Sequence, residues 1–309
     1  MASKAQASIL LVLLFLLMSH SSSSQRPGIV TYWGFYREGG ELDAACATRK
    51  YDIINIAFLN TFGNGATPEL DLSSHCSFGS CAKYASQIAY CQSLGVKIFL
   101  SIGGDAGHYN LSSPEDAEQV ASYLWTTYLG GQTGGSGGPL GDAVLDGIDF
   151  FIKDNGYRYY DVLALELHRY RMNRWFFLSA APECPIPDRY LGAAMRTGLF
   201  DYVWPQFYGE ASCEYSDDGD AWNLLNSWDQ WTACFRGPTT WFYMGLTGFS
   251  GSYEGYIPTD DLNRKVIPHL ERDPKFRGIM IWDDLQNRYS DGIEFHPPPK
   301  PIVNMTQSY

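Results

Sequence analysis

Residues Leu145 to Lys153 read Leu-Asp-Gly-Ile-Asp-Phe-Phe-Ile-Lys, an apolar run interrupted by two carboxylates and closed by an amine. Alternate residues of an extended strand share a face, so Asp149, Phe151 and Lys153 point to one side of it. Carboxylates in such a row do proton transfer, one giving a proton to a leaving oxygen while a neighbour orients the reacting group. Here an aromatic ring and a lysine follow the acids. Lysine is poorly matched to that task, because its reference pKa is near 10 and an ammonium opposes a developing positive charge. Lys153 therefore reads as half of an ion pair with the adjacent Asp149. Asp146 and Asp149 read as structural carboxylates bonded to backbone or to each other. Asp105, Glu183, Glu210, Asp283 and Asp284 follow other apolar runs and form an acidic ring that balances Lys153.

Such a strand needs a scaffold that buries both its faces. Eight short apolar runs recur along the chain, each followed by a stretch of helical period. They begin at Gly28, Ile53, Lys97, Asp146, Phe176, Tyr202, Trp241 and Gly278. Continuous runs suit parallel strands covered on both sides, and eight βα units close a single (β/α)8 TIM barrel. Ser113-Pro114-Glu115-Asp116 is a helix start, with a capping serine, proline at the first position and acids in the first turn. Gly130 to Pro139 is a glycine-rich loop entering the fourth strand, on the side away from the strands' C-terminal ends.

The stretch from Asp146 to Lys153 resembles the D-G-x-D-x-D-x-E signature of glycoside hydrolase family 18, with Phe151 in the place of the third acid and Lys153 in that of the proton-donating glutamate. Further resemblance to plant class III chitinases covers nearly all of residues 25–309. It includes Ser101-Ile102-Gly103-Gly104 at strand three and Gln206-Phe207-Tyr208 at strand six, with Phe58 closing strand two and Trp282 ending strand eight. The resemblance implies a carbohydrate-binding remnant in Phe58, Gln206, Tyr208 and Trp282, with Trp282 flooring the central sugar subsite and Tyr208 bonding an acetamido carbonyl. It also implies disulfides Cys46–Cys91, Cys76–Cys81 and Cys184–Cys213, leaving Cys234 unpaired. Trp231 and Phe235 beside Cys234 suggest a buried, inert thiol. Hydrolysis in the family is assisted by the substrate's acetamido oxygen, and both protein groups that serve it are altered here. The expectation is a pseudoenzyme, with no catalytic residue, no metal and no cofactor.

Residues 1–24 combine Lys4, an apolar run from Ile9 to Met18 and a serine-rich stretch, the pattern of a cleaved secretory signal. Lys4 is its one charged residue, so cleavage makes the formal charge of −12 one unit more negative. An acidic, secreted, monomeric barrel is the expectation, with neither nucleic acid nor membrane as partner. Asn110-Leu111-Ser112 and Asn304-Met305-Thr306 have the form of glycosylation acceptors.

Cereal xylanase inhibitors are similar to class III chitinases and also carry a degraded signature strand. That similarity implies a plant defence protein whose partner is a microbial xylanase. His168 to Arg174 supplies a basic anchor, since Arg169, Arg171 or Arg174 could pair with the two carboxylates of a xylanase cleft. A lectin for chitin-type oligosaccharides and a chitinase with a relocated acid are the alternatives.

Overall fold

The computed structural model describes residues 26–36, 39–72, 75–76, 81–131, 137–153, 156–235, 240–251 and 254–296. The leader at 1–24, the centre of the glycine-rich loop at 132–136 and the tail with Asn304 lie outside the described residues. Pro27–Phe295 form one compact unit.

The eight apolar runs become β1 (Gly28–Trp33), β2 (Ile53–Phe62), β3 (Lys97–Gly104), β4 (Gly147–Ile152), β5 (Phe177–Ala180), β6 (Tyr202–Val203), β7 (Trp241–Thr247) and β8 (Phe276–Trp282). Each pairs in parallel with its neighbour, and β1 pairs with both β2 and β8, which closes the barrel. Two short strands, Glu69–Leu70 and His108–Tyr109, pair with the far end of β2. Strands ringed by helices have no wet face, which is why these runs are continuous rather than alternating.

Alternation reappears in which partners each residue meets. Along β4, Ile148, Phe150 and Ile152 pack into the larger core under the helices, while Phe151 joins the smaller core inside the barrel. Around the ring the helices include α1 (Leu42–Ala47), α2 (Tyr84–Ser93), α3 (Pro114–Tyr128), α4 (Tyr160–Tyr170), α5 (Gly192–Met195) and α6 (Trp222–Cys234). At the start of α3 the Asp116 amide donates to Ser113 Oγ at 3.2 Å, and Pro114 takes the first position, where no amide hydrogen is needed. In α4, Tyr160, Leu163, Ala164 and Leu167 recur at helical spacing and are buried.

Cys46–Cys91 joins α1 to α2, Cys76–Cys81 closes a short loop before α2, and Cys184–Cys213 ties the loops after β5 and β6. Cys234 departs from expectation, being exposed at the end of α6. Trp231 turns inward and donates to the Cys184 carbonyl at 2.8 Å, and the Phe235 ring folds back to stack on it at 5.2 Å. Trp231 takes the buried position with Phe235 partly buried against it, and the thiol is left outside.

Candidate functional site at the barrel mouth

The strands' C-terminal ends form the mouth, and β4 supplies its centre. Register puts Ser101, Asp149 and Ser179 side by side on β3, β4 and β5. Ser101 donates to Asp149 Oδ2 at 2.7 Å and Ser179 to Oδ1 at 2.9 Å. Tyr32 on β1 reaches across to donate to Oδ2 at 2.9 Å and in turn accepts from the Trp204 indole N–H at 2.9 Å. Full burial pushes the Asp149 carboxyl up to about 6, although the hydroxyls of Ser101, Ser179 and Tyr32 pull the other way. Burial, and then the Asp149 charge, hold the Tyr32 phenol well above its ordinary value. Asp146 sits at the opposite end of the strand, where Oδ2 accepts from the Ile98 amide at 2.8 Å and from Gln92 at 3.0 Å.

Lys153 does not pair with Asp149, contrary to expectation. Its ammonium lies 3.2 Å from Asp105 Oδ1 and 5.2 Å above the Phe151 ring. Three hydroxyl donors already engage both oxygens of Asp149, whereas Asp105, at the end of β3, is partly exposed and faces the lysine. Backbone contacts hold the lysine there, since its amide donates to the Tyr109 hydroxyl at 3.0 Å. Of the acidic ring, Asp105 is therefore the member that pairs with Lys153 at the end of β4. Asp284 is structural, accepting from the Tyr51 hydroxyl at 2.7 Å and the Ser290 amide at 2.6 Å.

Phe151 fills the space beside these groups with a ring. It contacts Phe58 at 5.2 Å, Tyr32 at 5.6 Å and Trp282 at 5.6 Å. Trp282 has Tyr32, Phe35, Tyr36, Phe58 and Phe151 around it and is only 4% exposed. Phe58, Gln206 and Tyr208 are buried as well. The structure brings the four remnant residues to the mouth, but as a packed aromatic layer rather than an open floor. The Gln206 amide donates to the Ala181 carbonyl at 2.7 Å, while its Oε1 is buried without a hydrogen-bond partner among the described residues.

The two glycines after Ser101 are explained by this packing. A Cβ on Gly103 would meet the Phe151 carbonyl oxygen at 2.1 Å, and one on Gly104 would meet the Phe58 ring at 2.9 Å, both at positive φ. The hydroxyl ligands of Asp149 were not picked out from the sequence. The available signal was three polar residues, Tyr32, Ser101 and Ser179, at inward positions of otherwise apolar strands.

The basic segment lies at the other end of the barrel, between α4 and β5. Two of its three arginines are tied to the body of the barrel: Arg171 turns inward, and Arg174 stays exposed while bonding backbone. Arg171 pairs with Asp201 and lies 4.8 Å above the Trp175 ring, its side chain 6% exposed. Arg174 donates to the carbonyls of Leu129 at 3.0 Å and Leu145 at 3.3 Å. Arg169 faces outward beside Glu166, with no tie to the barrel's backbone among the described residues. Further along the same segment Met172 is 91% exposed, and Trp175, just past its end, is 58% exposed, neither of which stood out in the sequence.

Residues 28–289 match the model of glycosyl hydrolases family 18, and the chain belongs to that family. A grapevine (Vitis vinifera) relative named "Acidic endochitinase" is 45% identical over 95% of this chain and 99% of its own length. The solved ICChI chitinase of Ipomoea carnea superposes with a TM-score of 0.80 at 43% identity, over 86% of this chain and 98% of that one. The xylanase and alpha-amylase inhibitor protein of Scadoxus multiflorus does so with a TM-score of 0.81 at 39% identity, over 86% and 97%. These similarities correct one expectation. Several curated relatives, 44% to 47% identical, are named endochitinases, which points to an enzyme, so the expectation of a non-enzyme does not stand.

Proposed function

We propose that this chain acts outside the cell as a proteinaceous inhibitor of a microbial endo-xylanase, docking through the surface between α4 and β5. The observation that carries the reading is that one short segment, Arg169 to Trp175, exposes a cation and two large apolar side chains, Met172 and Trp175. Arginine and tryptophan are the side chains that most often anchor a protein interface. The internal bonds of Arg171 and Arg174 give that surface a rigid base, which lowers the ordering cost of binding. A retaining xylanase offers two carboxylates in a cleft, which a guanidinium can engage bidentately.

A second reading, binding of chitin-type oligosaccharides at the mouth, is favoured by the rings of Phe35 and Tyr36, exposed next to Trp282. One set of measurements separates the two. Inhibition of a panel of fungal xylanases and retention on chitin are measured for the parent chain and for the Arg169→Ala, Trp175→Ala and Trp282→Ala variants. Loss of a hot-spot side chain costs about 2 kcal/mol or more, so Arg169→Ala and Trp175→Ala should each weaken inhibition about 30-fold while Trp282→Ala leaves it unchanged. Absence of inhibition at micromolar protein, or loss of partner binding with Trp282→Ala alone, overturns the inhibitor reading.

A further inference from the structure

Asn110 of the Asn110-Leu111-Ser112 triplet is exposed, and its side chain makes no hydrogen bond among the described residues. Its neighbours fix where it points. Tyr109 and Leu111 are buried on either side, and the Asn110 amide donates to the Phe62 carbonyl at 3.2 Å. Ser112 is tied to Asp116 through its amide at 2.8 Å and its hydroxyl at 3.0 Å. With both flanks anchored and Asn110 itself exposed, the carboxamide faces outward at the rim.

That direction leads to the loop after β4. Asn110 Oδ1 lies 3.4 Å from the place a Cβ on Gly156 would occupy, and the next residue, Tyr157, is 56% exposed. The Tyr109 hydroxyl meanwhile holds the backbone of Lys153, so Asn110 stands over the quadrant of the mouth that contains the Lys153–Asp105 pair.

We propose that Asn110 carries an N-linked glycan that screens the β3–β4 quadrant of the mouth. In the transfer, Asn110 Nδ2 forms a bond to the anomeric carbon of an oligosaccharide carried on a lipid diphosphate. The bond from that carbon to the diphosphate oxygen breaks, the diphosphate leaves with the electron pair, and Nδ2 gives up one proton to a base of the transferase. The product is a bulky, hydrated group on the rim. It covers Tyr157 and the approach to Lys153, and it leaves the Met172–Trp175 surface at the far end bare. The attachment requires the secretory route of the function proposed above but not the inhibition itself, so either can fail alone.

The test is secretion of the full chain and of the Asn110→Gln variant from a glycosylating eukaryotic host, followed by glycopeptide mass mapping and hydroxyl-radical footprinting. The peptide containing Asn110 should carry the mass of a glycan that the variant lacks. Labelling of Tyr157 should be several-fold lower in the glycosylated chain than in the variant, with Met172 and Trp175 labelled equally in both. An unmodified Asn110 in the secreted chain overturns the proposal, as does a chain retained in the cell. A glycan at Asn110 with unchanged Tyr157 labelling overturns the screening.

Discussion

Trp282 at the mouth and Trp175 at the opposite end are the same side chain put to opposite uses. Trp282 is enclosed by five aromatic neighbours and 4% exposed, whereas Trp175 is 58% exposed and backed on one face by the Arg171 guanidinium. Ring packing at the mouth buries Trp282 among its neighbours. A cation–π support at the far end holds an aromatic face toward solvent, where a partner can cover it. What a tryptophan does is thus set by what surrounds it, and Phe151 is one of the rings that surround Trp282.

Changing the mouth should have the largest effect. Phe151→Asp combined with Lys153→Glu places two carboxyls where Phe151 and Lys153 stand, and general acid catalysis contributes about 10²–10⁴-fold. Turnover of chitin oligomers should rise over the parent chain by that order. Unchanged turnover would assign proton donation elsewhere, and Asp105→Asn would be the next variant to assay.

Phe151→Ala tests the packing itself. Emptying a buried ring position costs about 3–5 kcal/mol, read as a lowered urea midpoint. A loss below about 1 kcal/mol would mean that the aromatic layer collapses onto the gap and is less rigid than its ring contacts suggest.

At the far end, Arg171→Ala removes the cation behind Trp175 and leaves Asp201 half-buried and unpaired. Breaking such a pair costs about 3 kcal/mol and should also weaken any xylanase complex, through loss of support rather than of a direct contact. If stability falls while inhibition is untouched, Trp175 does not need the guanidinium behind it, and the contrast with Trp282 loses one of its sides.

The smallest effect is the pH dependence that Asp149 gives the mouth. Its pKa of about 6 lies above the unfolded value, so the folded state holds the proton more tightly. Its contribution is then complete below about pH 4 and is lost as pH rises through about 6, by on the order of 2–3 kcal/mol. Burial also raises Asp188, Asp201 and Glu214, with the same sign, so the measurement is the difference between the parent chain and Asp149→Asn across that window. Equal slopes in urea titrations would mean that the three hydroxyl donors outweigh burial.

The eight strands were legible because burial on both faces forces continuous apolar runs, and the period of two set the phase of β4. Side-chain partners at the mouth were not legible, because they depend on register between strands far apart in sequence. Tyr32 meets Asp149 across 117 positions, and nothing local in either segment announces it. The same holds at the far end, where Arg171 and Arg174 look like a solvated basic patch until Asp201, Leu129 and Leu145 come up beside them. Glycine was the exception. Gly103 and Gly104 sit where backbone and ring approach too closely for any side chain, so the sequence there records a contact directly.

Closure of the barrel by β1 and β8 also sets the order in which the chain can finish folding. Thr31 donates to the Ile281 carbonyl across 250 positions, so the first strand to leave the ribosome waits for nearly the whole chain before its second edge is covered. Contacts of such high sequence separation form slowly and leave unpaired edges exposed meanwhile. Truncation just before Phe276 would leave β1 and β7 with open edges, and such a fragment should aggregate during synthesis rather than persist as a seven-stranded barrel.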